Sequence, residues 1–193
     1  MVELTLTEDH IYLDQDGKAW PGTTSIISAT GMSNLYCHDE YAALRGKHAH
    51  TACHLWDIGT LCENTVDPVI LPYLNSYRKL RASRPEEVFE SELLVCSELF
   101  HFAGTLDRIM TDGKWFDLWD LKTGAFDVAH ELQTAAYALA WQEMSGERIR
   151  DRYGIHLKAN GSIAKMVKHK RLNSKAVFLA GLTTITWLKN ERG

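Results

Sequence analysis

The pattern of apolar and polar residues is most regular between Val88 and Met144. Three short apolar runs follow one another there, VFESELLVC, HFAGTLDRIM and KWFDLWDLK, with turn residues between them. Runs of this length, rich in β-branched and aromatic residues, predict β-strands. The next run, HELQTAAYALAWQEM, has the length and composition of a helix. We therefore predict a sheet with a helix beside it.

The third of these strands carries two charges on one apolar side. Because side chains alternate along a strand, Phe116, Leu118, Asp120 and Lys122 project to the same side. Unpaired charges near a core are costly. A carboxylate and an ammonium projecting together therefore indicate a functional pair, or alternatively a plain ion pair between Asp120 and Lys122.

A second carboxylate is predicted to lie close to this pair. Asp112-Gly113, between two apolar runs, predicts a tight hairpin between the second and third strands. With these two residues at the centre of the turn, Asp107 would lie opposite Leu118 and have Asp120 as its diagonal neighbour. Two carboxylates so placed can hold one divalent cation, with oxygen ligands at about 2.0–2.6 Å.

The first strand adds two further acids, Glu90 and Glu92, and is predicted to pair with the second strand through a turn near Glu98. Either acid could reach the same face, and the choice depends on the register of the pairing. The alternative is an exposed antiparallel sheet with a solvated charged face. Gly104, Trp119 and the apolar flanks favour burial on both sides instead.

The remaining pattern predicts an α/β fold, in which helices flank a mixed central sheet of four or five strands. The predicted helices are Thr23–Ala29, Tyr41–Ile58, Val69–Ala82, Val128–Met144 and Ser174–Lys189. Further hairpins are predicted at Asp16-Gly17 and Asn160-Gly161. We expect Thr23 or Thr24 to cap the first helix, Asp127 to cap the fourth, and Trp187 to anchor the last in the core.

Length and composition limit the class of protein to which this fold can belong. At 193 residues and 45% hydrophobic content, the chain is expected to form one domain over residues 1–193. The N-terminus lacks the basic and apolar regions of a signal peptide, and no stretch approaches the ~20 apolar residues of a membrane span. We therefore expect a cytoplasmic protein without membrane contact. The four cysteines, Cys37, Cys53, Cys62 and Cys96, form no C-x-x-C pair, so a zinc site or disulfide framework is not expected.

The net charge of -4 does not indicate nucleic-acid binding, but its distribution does. Residues 158–175 contain six Lys or Arg and no Asp or Glu, and a second basic run covers residues 77–84. The alternative for each run is a solvated face. On either side of an acidic cluster, both are better explained as phosphate contacts. The candidate residues are Lys158, Lys165, Lys168, Lys170, Arg171, Arg78, Lys79 and Arg81.

Two helices carry spaced polar residues. Gly46, His50 and His54 fall four apart on one face, where the glycine would allow close approach of another backbone or a substrate. Gln133 and Tyr137 share a stripe of the fourth helix with an aromatic neighbour. This stripe is either a core-facing surface with one buried amide, or a surface that faces the site.

Four segments together resemble the PD-(D/E)XK nuclease superfamily, in particular its RecB-like, phage-type exonuclease branch. They are Ala103–Asp107 (aliphatic-Gly-Thr-x-Asp), Asp120–Gly124 (Asp-x-Lys-Thr-Gly), Gln133–Tyr137 (Gln-x-x-x-Tyr) and Gly46–His50 (Gly-x-x-x-His). Each segment alone is weakly specific, but their order and spacing match the family over roughly residues 40 to 145.

The resemblance implies a site that holds one or two Mg²⁺ or Mn²⁺ ions. The implied metal ligands are His50, Asp107, Asp120 and the carbonyl of Leu121. Lys122 would orient the attacking water and stabilise the charge that builds on the phosphate. Glu92 fits the family's outer acidic position better than Glu90. Some relatives carry an iron–sulfur cluster on one upstream and three C-terminal cysteines, and the cysteine positions here predict no such cluster.

The implied function is a metal-dependent DNA exonuclease in phage or bacterial recombination, repair or DNA-end processing. DNA would be its main partner, with recombination or replication proteins as further candidates, and the oligomeric state is open. In this interpretation Gln133 and Tyr137 contact the catalytic strand or a DNA phosphate. The alternatives are a structure-specific endonuclease, a catalytically idle DNA-binding or scaffold relative, and a metalloenzyme that does not act on nucleic acids.

Overall fold

A computed structural model describes residues 2–32 and 39–192, apart from the side chains of residues 190–192. The strands are β1 (Thr5–Leu6), β2 (Tyr12–Leu13), β3 (Ala19–Trp20), β4 (Glu87–Ser97), β5 (Phe102–Thr111), β6 (Phe116–Lys122), β7 (Ile149–His156) and β8 (Lys165–Lys168). The helices are α1 (Thr23–Ala29), α2 (Glu40–Asp57), α3 (Leu71–Ala82), α4 (His130–Ser145) and α5 (Ser174–Arg192). No helix in this part of the chain is both long and apolar enough to cross a bilayer.

The central sheet has five strands in the order β4-β5-β6-β7-β8. Neighbouring strands are antiparallel except β6 and β7, which are parallel. A parallel pair requires a crossover connection, and α4 supplies it between these two strands. The predicted α/β fold with a mixed central sheet is therefore confirmed.

Helices cover both faces of this sheet. One core contains Leu106 and Leu118 together with apolar residues of α1, α4 and α5. The other contains Trp119 and Leu121 together with apolar residues of α2 and α3. Because consecutive residues of β6 enter opposite cores, this strand is buried on both sides, as its apolar flanks predicted.

The short sheet β1-β2-β3 leads into α1 and ties it to β5. The Ala103 amide donates to the Pro21 carbonyl, and the Thr23 hydroxyl donates to the Ala103 carbonyl at 2.9 Å. The predicted threonine cap of α1 is wrong. Gly22 is the N-cap residue, and its position carries no side-chain hydrogen bond.

Two predictions about single residues of α4 and α5 are also wrong. Helix α4 begins at His130, because Asp127 accepts from the Ala129 amide in a preceding turn instead of capping the helix. Trp187 is 60% exposed and does not anchor α5, whose buried contacts come from Phe178 and Leu182.

The predicted two-residue turn at Asp112-Gly113 is replaced by a longer one. The Asp112 carboxylate accepts from the amides of Lys114 and Trp115, which holds four residues in the connection. The hairpin therefore begins with Thr111 paired to Phe116. This register is offset by two residues from the predicted one, so Asp107 comes level with Asp120 instead of lying diagonal to it.

Candidate active site

Three acids lie in one row across β4, β5 and β6. Glu92 is level with Asp107, because the residues on either side of it pair with the residues on either side of Asp107. Asp107 is level with Asp120, one residue beyond the last pair of the β5–β6 ladder. The row contains Asp107 and Asp120, which the sequence predicts as a pair. It also contains Glu92, whose choice over Glu90 depended on the register of the strands. Glu90 pairs with Ile109. It lies two residues before Glu92 on β4 and is therefore outside the row.

Asp107 stands at the centre of this row and is 7% exposed. One carboxylate oxygen accepts from the backbone N–H of Leu121, where the next ladder bond would otherwise form. The other lies 3.2 Å from Nδ1 of His50 on α2. The contacts with Leu121 and His50 thus hold both carboxylate oxygens of Asp107 in place at the end of the β5–β6 ladder.

His50, Glu92 and Asp107 bring ligand atoms together. One nitrogen or carboxylate oxygen from each lies within 4.8 Å of the other two, in the only such group among residues 2–32 and 39–189. The group contains two of the ligands implied by the resemblance and adds Glu92. Asp120 is next to the group and pairs with Lys122. The Leu121 backbone reaches the site through its N–H bond to Asp107.

Helix α2 approaches the site closely at Gly46. A β-carbon there would lie 3.2 Å from the hydroxyl of Thr123, the residue after Lys122. One turn farther on, His50 meets Asp107, and His54 Nδ1 lies 2.7 Å from the Ser91 hydroxyl, beside Glu92. The predicted helix face therefore does lie along the acidic row.

Lys122 is held between β6 and α4. Its ammonium lies 2.7 Å from Asp120 Oδ2 and 3.0 Å from the side-chain oxygen of Gln133. The Gln133 amide in turn donates to the Tyr137 hydroxyl at 3.0 Å and to the Thr24 hydroxyl at 3.3 Å. The Gln133–Tyr137 stripe thus faces β6 through Lys122, although both residues are also buried.

The glycine of the Gly-Thr-x-Asp segment makes room for this arrangement. A β-carbon at Gly104 would overlap Tyr137 Cε1 and lie 3.0 Å from the Thr23 hydroxyl oxygen. Tyr137 therefore packs directly on the β5 backbone. Its position, and through it that of Gln133, depends on the absence of a side chain at residue 104.

The three acids of the row differ in how readily their carboxyl groups ionise. Burial raises the pKa of Asp120, with the ammonium of Lys122 opposing this and the charge of Asp107 adding to it. Burial and the charge of Asp107 also raise the pKa of Glu92. Burial acts in the same direction on Asp107, but His50 and Lys122 outweigh it and lower the pKa of that carboxyl. Burial and the charge of Asp107 thus oppose ionisation of Glu92 and Asp120, while His50 and Lys122 favour ionisation of Asp107 itself.

A buried arginine network, which the sequence analysis missed, holds Glu92. Arg108 is fully buried and donates to Glu92 at 3.0 Å and to Asp57 of α2 at 2.6 Å. The Tyr77 hydroxyl donates to the same Asp57 carboxylate at 2.9 Å. The position of Arg108 in an apolar strand, directly after Asp107, indicates a buried charge that needs acidic partners. Those partners are distant in sequence, so the sequence does not identify them.

The predicted phosphate contacts are partly engaged within the protein. Lys168 pairs with Asp151 at 2.7 Å, and Arg171 lies 4.0 Å from Glu131. Lys165 and Lys170 are exposed, and Lys158 is half-buried. In the second run, Arg78 pairs with Glu63, Lys79 donates to the Gly161 carbonyl and Arg81 donates to the Glu86 carbonyl. Phosphate binding by these eight residues stays a prediction.

The chain is thus an α/β protein that carries a carboxylate–lysine pair beside an acidic row on its central sheet. A family model of the PD-(D/E)XK nuclease superfamily matches residues 40–177. The chain therefore belongs to the PD-(D/E)XK nuclease superfamily.

A similar fold occurs in the crystal structure of a candidate exonuclease from Eubacterium rectale. The TM-score is 0.50 at 10% sequence identity, and the match covers 83% of this chain and 69% of that one. No curated protein matches the chain in sequence.

Proposed function

We propose that this protein is a divalent-metal-dependent DNA exonuclease. The observation that carries the proposal is the convergence of His50, Glu92 and Asp107 beside the Asp120–Lys122 pair. Superfamily membership supports phosphodiester hydrolysis, and the motifs resemble the RecB-like exonuclease branch. The corresponding biological setting is recombination, repair or DNA-end processing in a phage or bacterium.

The residues of the row fit a hard divalent cation. They offer one imidazole nitrogen and two carboxylates within 4.8 Å, a donor set suited to Mg²⁺ or Mn²⁺. Asp120 Oδ2 is also buried and has no well-aligned hydrogen bond in the described part of the chain, although Lys122 lies close to it. His50, Glu92 and Asp107 would hold the cation, with Asp120 beside them. Once bound, it would neutralise charge on the phosphate and promote ionisation of water.

The protein's own groups have separate tasks in this scheme. Lys122 donates hydrogen bonds toward the reacting phosphate and orients the attacking water, acting where charge develops in the transition state. Gln133 fixes the direction of the Lys122 ammonium. Arg108 fixes the Glu92 carboxylate from the core side. The chain thus supplies orientation at fixed points, so that little reorganisation is needed during the reaction.

The experiment compares linear, covalently closed circular and end-blocked DNA, each with Mg²⁺ and with Mn²⁺. We expect the wild type to degrade linear DNA only. We expect Lys122→Met to lose all DNA cleavage and Lys114→Met to cleave DNA as the wild type does. Lys114 is a suitable matched control because it lies exposed over Trp115 at the hairpin tip.

Two outcomes would contradict the proposal. Cutting of closed circular DNA would make the protein an endonuclease. DNA binding without cleavage by the wild type in either metal would make it an idle DNA-binding relative.

A further inference from the structure

An exposed aromatic residue, Phe126, packs on two buried imidazoles. It lies in the connection between β6 and α4, four residues after Lys122, and is 55% exposed. Its ring centroid lies 6.0 Å from that of His156 and 6.4 Å from that of His130. The two imidazole centroids are themselves 6.3 Å apart. Three rings thus pack against one another, and Phe126 is the one that faces solvent.

The two imidazoles restrict the position of Phe126. Both are buried, and burial lowers the pKa of each ring, so both are neutral at pH 7. The residue after Phe126 is tied to the first of them, because the Asp127 amide donates to Nδ1 of His130 at 3.4 Å and the Asp127 carbonyl accepts from the His130 amide at 3.1 Å. An aromatic ring restricted in this way loses little conformational freedom when a ligand packs on it.

His156 places Phe126 beside the candidate active site. It pairs with Lys122 in the parallel β6–β7 ladder. Paired residues of neighbouring strands project to the same side of a sheet, so the His156 ring lies between the Lys122 side chain and the Phe126 ring. Since Lys122 is proposed to contact the reacting phosphate, the Phe126 ring lies close to the nucleotides on either side of that phosphate.

The charges around these rings are suited to nucleic acid. After burial, the charges of Lys158, Lys122 and Lys165 lower the pKa of His156, so three cations lie near it. The acid closest to the ring in sequence, Asp127, accepts a backbone N–H of the same connection at 2.7 Å. Phosphates that flank a nucleobase are attracted by such cations. An exposed aromatic ring beside several lysines is the combination that binds unpaired nucleotides.

We propose that Phe126 is a stacking surface for an unpaired nucleobase at the DNA end that is cleaved. The inference rests on the proposed nuclease function and names the form of DNA that the site takes. Nucleobases inside a duplex are covered by their neighbours, whereas a nucleobase of a single-stranded end is free to stack on a protein ring. The protein should therefore bind DNA ends with a single-stranded overhang more tightly than blunt ends.

A double-mutant cycle between the ring and the nucleobase tests this inference. The probes are duplexes with a short 5′ or 3′ overhang, in which an abasic residue replaces one overhang nucleotide at a time. The abasic residue removes the nucleobase and keeps the phosphate. Binding is measured in Ca²⁺, used to support binding without cleavage. We expect an abasic residue at one overhang position to weaken binding by the wild type about tenfold, the scale of one lost stacking contact.

Matched variants separate stacking from general packing. Phe126→Leu keeps an apolar side chain but lacks the ring, so it should bind the intact overhang about tenfold more weakly, and the abasic residue should then have no further effect. Phe126→Tyr keeps an aromatic face and should bind as the wild type does. Trp115→Leu removes a comparably exposed aromatic residue, 47% exposed, at the β5–β6 hairpin, and should leave the effect of the abasic residue unchanged.

Two results would overturn the inference. One is an equal loss of affinity from the abasic residue in wild type and Phe126→Leu, and the other is no loss in the wild type at any overhang position. Either would make Phe126 a solvated residue of the connection. Cleavage of linear DNA is measured separately. A wild type that cleaves without this coupling contradicts only the stacking surface, whereas coupling without cleavage contradicts only the nuclease function.

Discussion

The carboxylate of Asp107 accepts the backbone N–H of Leu121, where the ladder between β5 and β6 ends. A side chain thereby replaces the main-chain acceptor, and the adjoining end of β6 carries Asp120 and Lys122. Its second oxygen meets His50 of α2. The site thus lies where the β5–β6 ladder ends, and one carboxylate contacts both β6 and α2 there.

The first prediction concerns Arg108, which we describe as a positioning residue for Glu92. Arg108→Lys keeps the charge but loses the planar fork that contacts Glu92 and Asp57. We expect Mn²⁺ affinity, measured by calorimetry, to fall about tenfold, the lower range for groups that orient a metal ligand.

Tyr77→Phe is the matched control for this prediction, since it removes a hydrogen bond to the same Asp57 without contacting Glu92. It should lower the free energy of unfolding by about 1–3 kcal/mol and leave Mn²⁺ affinity unchanged. Equal Mn²⁺ affinity in wild type and Arg108→Lys would show that Glu92 needs no support from the core.

The second prediction tests the packing behind Lys122. Gly104→Ala forces a β-carbon against Tyr137 and Thr23, so we expect a loss of about 1–3 kcal/mol in unfolding free energy. Displacement of Tyr137 should also reduce kcat more than it changes KM, because Gln133 then orients Lys122 less well. Gly124→Ala is the control, since a β-carbon there meets no atom within 4 Å. Similar kcat values for the two variants would separate Tyr137 from catalysis.

The acidic row shows how far the sequence predicts the site. The period of two in β6 placed Asp120 and Lys122 on one side, and the spacing of motifs identified Asp107 and His50; each depends on local pattern. Glu92 could not be chosen over Glu90, because the choice depends on a shift in the β4–β5 register between Val88 and Glu90. Glu92 also adopts a left-handed backbone conformation, at φ 53°, that no local signal predicts.

Each difference between the predicted and the observed structure has a physical cause. Asp112 was expected to be a central turn residue, but its carboxylate accepts two backbone N–H groups and so stabilises a longer connection. Trp187 was expected to be an apolar anchor of the last helix, yet core contacts depend on which face of α5 meets the rest of the protein, and Phe178 and Leu182 lie on that face. The pairing of Arg108 with Asp57 joins residues 51 positions apart and follows only from the tertiary fold.

The third prediction concerns acid stability through His130. Burial, followed by the charge of Lys122, lowers the pKa of His130 to about 3. The unfolded chain then binds a proton near pH 6.5 while the folded chain does not, so stability falls as pH decreases from about 6.5 toward 3. The slope due to this residue is at most about 1.4 kcal/mol per pH unit.

Urea unfolding at several pH values checks this contribution. His130→Gln should flatten the decline, whereas substitution of the exposed His48 should leave it unchanged. If His130→Gln has the same pH dependence as wild type, burial of His130 does not control acid stability.

The fourth prediction concerns the basic segment, residues 158–175. Replacing Lys168, Lys170 and Arg171 by Ala should weaken binding to all DNA sequences similarly, because phosphates carry no base information. Each lost phosphate contact should reduce the slope of log K against log salt by about 0.7–0.9. A salt titration of DNA binding in Ca²⁺ measures this slope. No change in the triple variant would assign the segment to a solvated surface and to its ion pairs with Asp151 and Glu131.

The most direct test of the central claim is thermal and urea unfolding with and without Mn²⁺. A cation that binds only the folded state through His50, Glu92 and Asp107 should raise the free energy of unfolding by about 2.7 kcal/mol at 100 times its Kd. We predict this gain for wild type and for Lys114→Met, and none for Asp107→Asn. An Asp107→Asn protein that gained the same stability from Mn²⁺ as wild type would contradict the proposed metal site.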